Sequence, residues 1–172
     1  MRALLIAAAA AALAGTAQAQ VPEIPLEALQ SAGLDPRTKV EGPAVQVMTG
    51  QRALVRLDEA GTPTLDHVEK GRIGKAAADG TETYKGAGAG KVAFALDASV
   101  ENRQSILKVW NGLTRPLAYQ AEITALRGGK LMKKMSTLCT VPAGGVGYET
   151  WPVPVISVTL SRFAETPADA CQ

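Results

Sequence analysis

Between Ser105 and Phe163 the chain is cut into short apolar segments by turn residues, and this punctuation restricts it to a β-rich fold. The stretch opens with Ser105-Ile106-Leu107-Lys108-Val109-Trp110-Asn111. Leu117 to Arg127 follows, then Gly128-Gly129, Lys130 to Val141 and a Pro/Gly loop. It closes on Trp151-Pro152-Val153-Pro154-Val155 and runs to Phe163. These segments read as four strand candidates separated by turn residues.

Period-two alternation assigns the faces. In Leu117 to Ala125, Leu117, Tyr119, Ala121 and Ile123 point inward, with Gln120, Glu122 and Thr124 outward. Val92, Phe94 and Leu96 share one face, opposite Ala93 and Ala95. Leu107 and Val109 oppose Ile106 and Trp110, so this strand is apolar on both faces and belongs in the middle of a sheet covered on both sides. Ile156, Val158 and Leu160 are assigned to the core. Trp151 to Pro154 suits a sheet edge or a kink leading into a strand, because two prolines remove ladder donors.

Lys130 to Val141 fits two templates. Gly128-Gly129 is a credible hairpin turn, which makes the segment a strand. Yet a two-residue turn sets Lys134 opposite the inward Ile123, and Leu131, Met132, Met135, Leu138 and Cys139 also form a helical stripe. The strand is preferred, with a bulge or an overhanging tip to resolve the conflict, and the helix stays as the alternative.

Upstream, Pro25 to Ala32 reads as a short helix, with Pro25 at its first position and Gly33 at its end. Asp35 to Pro43 is turn-rich. Ala44 to Met48, Arg52 to Asp58 and Thr64 to Lys70 are strand candidates. No Phe, Trp or Tyr occurs from Gln20 to Thr83, which makes this part poor in large buried surfaces. The glycine-rich run from Gly71 to Gly90 reads as a flexible loop and the weakest region. It is no phosphate cradle, because Gly90-Lys91-Val92 opens a strand rather than a helix.

The first residues have the form of an export signal. Met1-Arg2 precedes the apolar Ala3 to Leu13, and Ala17-Gln18-Ala19 is an A-x-A-like cleavage site. Thr16 stands where a lipid-bearing cysteine would be needed. The expected organisation is therefore a signal peptide at 1–19, an aromatic-free segment of short strands and one short helix at 20–83, and the main sandwich portion at 84–172. Residues 20–172 make one domain of about 150 residues. The mature chain is expected to be soluble and periplasmic or secreted. The tail is loosely similar to those of small envelope proteins of Gram-negative bacteria, a likeness that implies no activity.

In an exported chain the two cysteines, Cys139 and Cys171, are expected to form one disulfide. It closes a loop of about 33 residues and contributes roughly 3–4 kcal/mol in the chain-entropy picture. The absence of C-x-x-C spacing argues against redox work. Roughly seven or eight short strands at near-regular spacing point to a mainly β, immunoglobulin-like antiparallel β-sandwich. The resemblance is to the architecture alone, because Trp110 precedes both cysteines rather than lying between them.

No catalytic or cofactor motif stands out. His67 is the only histidine. In a strand it points away from Asp66, and His67 with Glu69 makes too few ligands for a closed metal site. Asp97, Glu101, Glu122 and Glu149 carry no motif that selects a pair for glycoside chemistry. Charge is near balance, at 18 basic and 16 acidic residues, and implies no nucleic-acid partner. Arg127, Lys130, Lys133 and Lys134 cluster beside Leu131, Met132 and Met135, and with Trp151 form a candidate interaction surface. It suits a partner in the envelope, protein or polymer, or an anionic membrane face. The plainer reading is a lysine-guarded strand edge. The expected function is a non-enzymatic envelope module that binds or supports another macromolecule, without a cofactor. The alternatives are a small secreted hydrolase and a periplasmic chaperone or assembly factor that adds a strand.

Overall fold

A computed structural model describes residues 26–31, 34–77, 79–99, 102–127, 130–136 and 140–165. A six-residue helix, α1 (Leu26–Ser31), precedes ten strands. They are β1 (Lys39–Glu41), β2 (Ala44–Met48), β3 (Gln51–Leu57), β4 (Pro63–Lys70) and β5 (Val92–Ser99), then β6 (Gln104–Asn111), β7 (Leu117–Arg127), β8 (Lys130–Ser136), β9 (Val146–Trp151) and β10 (Val155–Glu165). The first sheet has the order β1-β2-β10-β7-β8 and the second β4-β3-β5-β6-β9. All pairings between these strands are antiparallel. No described helix is long and apolar enough to cross a membrane.

The two sheets share one core, as in a β-sandwich. Val45, Val47, Tyr119, Ile123, Val158 and Leu160 of the first sheet pack with Val55, Phe94, Leu96, Leu107 and Val109 of the second. Phe94 lies at the centre, with its ring 5.9 Å from Tyr119 in an edge-on contact and 5.6 Å from Phe163. Each such side chain contributes about 1.5–3 kcal/mol by leaving water, and these contributions offset the entropy of ordering the strands. Strands from the aromatic-free segment enter both sheets: β2 pairs with β10, while β3 pairs with β4 and β5.

The inward rows expected for β5, β6 and β7 are the observed ones. Four features differ from expectation. First, β1 lies in the turn-rich stretch and adds an outer strand to β2, while β9 forms the edge of the second sheet beside β6. Second, Ile156 leaves the core. The register with β7 shifts between Val155 and Ser157, so Val155 takes the core position and Ile156 packs with Leu29, Leu34 and Met48 outside.

Third, Lys134 does lie opposite Ile123, in a register that runs unbroken from Arg127↔Lys130 to Ala121↔Ser136. No bulge relieves the conflict. The inward row of β8 is polar because β8 is an edge strand with little of the second sheet facing it.

Fourth, residues 71–77 and 79–90 cover the outer face of the second sheet rather than forming an open loop. Ile73, Ala76, Tyr84 and Ala87 are buried there against Ala93, Ala95, Ile106 and Trp110. The cover is held by paired charges. Asp97 accepts hydrogen bonds from Arg72 Nε at 2.8 Å and from the Ile73 amide at 2.9 Å. Glu82 accepts from Lys108 Nζ at 2.8 Å and the Gly74 amide at 2.9 Å. Gly112 lies against the end of the cover, accepting from the Gly90 amide at 2.8 Å, and a Cβ there would run into the Gly88 carbonyl. The expected Cys139–Cys171 disulfide and the expected cleavage site fall outside the described residues.

Candidate functional site

A groove of about 340 Å³ opens where β7 and β8 of the first sheet approach the connection that runs from β9 of the second sheet to β10 of the first. Local chemistry builds it from both sides. Pro152 and Pro154 stop the ladder after β9, so the chain crosses between sheets as a strap. Buried Ser105 fastens the strap: its hydroxyl donates to the Val153 carbonyl at 3.0 Å and accepts from the Val155 amide at 2.8 Å. The Leu126 amide donates to the Pro154 carbonyl at 3.0 Å. Trp151 Nε1 donates to Ser136 Oγ at 2.9 Å and ties the strap to β8.

The floor is apolar, with Ile123 and Ala125 from β7, Met132 from β8, and Trp151, Pro152 and Val153 from the strap, and Met135 at its margin. Arg127 and Lys134 supply charge, and none of the described lining residues is acidic. Met132 is 45% exposed and Met135 54%, whereas Met48, packed against Leu29, Leu34 and Ile156, is 6% exposed. Methionine is unbranched and polarisable, so it adapts to varied apolar surfaces.

Of the five residues expected to form an interaction surface, Arg127, Lys134 and Trp151 line the groove. Lys130 lies on the same face of β8, opposite Arg127. Lys133 turns to the other face and pairs with Glu122 at 3.2 Å. The apolar residues Ile123, Ala125 and Val153 are not among those the sequence marks as a binding surface, whereas Met132 is. Their signal was the register conflict itself, since a Lys-x-Met-x-Lys inward row does not belong under a facing sheet.

His67 lies elsewhere, on β4 at the opposite edge of the second sheet. It is exposed and 3.9 Å from Glu69, whose carboxylate is also held by Arg52 at 2.5 Å. Asp66 pairs instead with Arg56 at 2.6 Å and Lys91 at 2.8 Å. The Lys91 hydrogen bond is the main reason its carboxyl titrates below the usual range. Among the described residues no group of three or more His, Cys, Asp or Glu side chains is arranged to hold a metal.

The outer face of the second sheet is chemically rich but occupied by its own chain. The guanidinium of Arg52 lies 5.4 Å from the ring centres of both Tyr84 and Trp110 and donates to the Lys85 carbonyl. Burial raises the pKa of Tyr84, reinforced by Asp97 and Glu69. Burial works against the Lys108 ammonium, but its hydrogen bonds to Glu82 and Tyr148 prevail and raise its pKa. These charges complete one another within the fold. The chain matches no family model, no curated protein and no solved structure.

Proposed function

We propose that this chain is an exported, non-enzymatic β-sandwich module that binds another macromolecule of the cell envelope through the groove between β8 and the strap. The observation that carries this reading is the groove's composition: exposed Met132 beside the apolar Ile123, Ala125 and Val153, with Arg127 and Lys134 and no acidic residue in the described lining. An exposed apolar site beside charge of one sign, with no acidic residue in the described lining, favours a partner of opposite sign.

In this reading the protein is soluble in the periplasm or outside the cell after loss of residues 1–19, with Cys139 and Cys171 joined. The sandwich is read as immunoglobulin-like in arrangement. The order β4-β3-β5-β6 has the neighbours of a C′-C-F-G sheet, and β1 and β2 stand where A and B would. It departs from that pattern at β10, which takes the place beside β2 although it comes last in the chain.

The test is in-cell crosslinking followed by recovery of the tagged chain, in parallel with Met132→Asp. Because Met132 is exposed, this variant is expected to fold, which circular dichroism checks. A stoichiometric partner retained by the unmodified chain and lost by Met132→Asp supports the groove. A partner retained equally by both places the binding surface elsewhere.

A further inference from the structure

We infer that the edge of β8 left unpaired among the described strands receives an extended segment of a partner protein as an added strand, with acidic side chains at its first and fifth positions and an apolar one at its third facing the groove. The inference rests on the proposed groove reading and specifies the chemistry of its occupant.

The geometry starts from β8. It ends the first sheet, pairs with β7 through seven consecutive register positions without a shift, and contains no proline. A straight edge of this kind presents backbone donors and acceptors to an incoming strand. Its two faces differ. Lys130, Met132 and Lys134 lie across from Arg127, Ala125 and Ile123, on the groove side. Leu131, Lys133 and Met135 alternate with them, and Lys133 is already paired with Glu122.

An added strand follows the same period of two. The residues it sets beside Lys130, Met132 and Lys134 are spaced i, i+2 and i+4, with the outer two about 13 Å apart. The favourable cross-strand partners are acidic, apolar and acidic. Arg127, beside Lys130, strengthens the preference at one end. The apolar residue enters above Ala125 and Trp151.

The same lysines disfavour a second copy of this chain, because β8 against β8 brings lysines together. An anionic lipid shares the charge but has no backbone to pair with the edge. The open groove along a strand favours the peptide.

The experiment measures fluorescence polarisation of synthetic peptides against the intact mature chain. The acidic peptide has the core Glu-Val-Leu-Val-Glu, and its counterpart the core Lys-Val-Leu-Val-Lys. A third peptide carries the acidic core with N-methyl groups on the amides that would pair with β8. The acidic peptide is expected to bind at least about tenfold more tightly than either of the others. Its affinity should fall between about 0.01 M and about 1 M salt, as the screening length drops from about 30 to about 3 Å. Lys134→Glu should weaken it and improve binding of the lysine peptide.

Equal affinity for acidic and lysine peptides, equal affinity of the N-methylated peptide, or no binding of the acidic peptide overturns the inference. Displacement of the bound peptide by phosphatidylglycerol vesicles, with tighter vesicle binding, assigns the groove to lipid and also overturns it. If the peptides fail while Met132→Asp still abolishes partner capture, strand addition falls and the groove reading stands. If Met132→Asp leaves capture intact, the groove reading falls too.

Discussion

The outer face of the second sheet and the groove beside β8 are both apolar surfaces bordered by cations and aromatic rings. They end in opposite states. On the outer face the chain folds residues 71–77 and 79–90 back over Ile106 and Trp110, and Asp97, Glu82 and Glu69 meet the cations there. At the groove Met132 and Met135 stay exposed beside Arg127 and Lys134, with no acidic residue in the described lining. A surface whose charges are complemented from within acts as a second core. A surface whose charge has no internal complement is suited to an external one.

Substitutions on the two surfaces should therefore differ greatly in cost. Trp110→Ala, which empties the space under Tyr84 and Ile73, should destabilise by about 3–5 kcal/mol in denaturant unfolding. A cost below about 1 kcal/mol would mean that the cover is loosely held. Asp97→Ala leaves the Ile73 amide and Arg72 without their carboxylate and should cost about 2–4 kcal/mol, reduced by the partial exposure of Arg72. Amide exchange should then accelerate across 71–77 before it does in β5.

Gly112→Ala forces a Cβ toward the Gly88 carbonyl and should cost about 1–3 kcal/mol. The unfolding midpoint in denaturant would report it.

Alkaline pH adds a graded test. Burial raises the pKa of Tyr84 and Tyr119, and Glu149 adds to the effect on Tyr119. The unfolded chain loses these phenolic protons first, so their contribution is complete below about pH 10 and disappears as pH rises further. Lys108, also shifted upward, acts in the same direction above about pH 10.4. Thermal melting points should fall through this range, and Tyr84→Phe should flatten part of the decline. Met135→Ser, at the open groove, should change stability by no more than about 0.5 kcal/mol.

The sequence reveals the rows where one strand's own alternation decides the face. Phe94, Leu107, Val109 and Tyr119 are such positions, and neighbouring strands agree with them. It does not reveal what a partner strand decides. Ile156 looks like a core residue until the shifted register with β7 turns it outward. The cover was illegible for a related reason. Its local composition is that of a flexible linker, while its anchors pair Arg72 with Asp97 and Glu82 with Lys108 across long stretches of chain. At the groove, the charges and Trp151 stood out locally. The floor did not, because Ile123 and Val153 become one surface only after two sheets are assembled.

We propose that the open groove, rather than any other exposed apolar position, is where this protein meets its partner. The most direct measurement places a photoreactive amino acid at position 132 or at position 68 in the cell. Val68 is also exposed, but lies on β4 at the far edge of the second sheet. A single discrete adduct from position 132, with none from position 68, is the expected result. An adduct from position 68 alone, or none from position 132, would contradict the account.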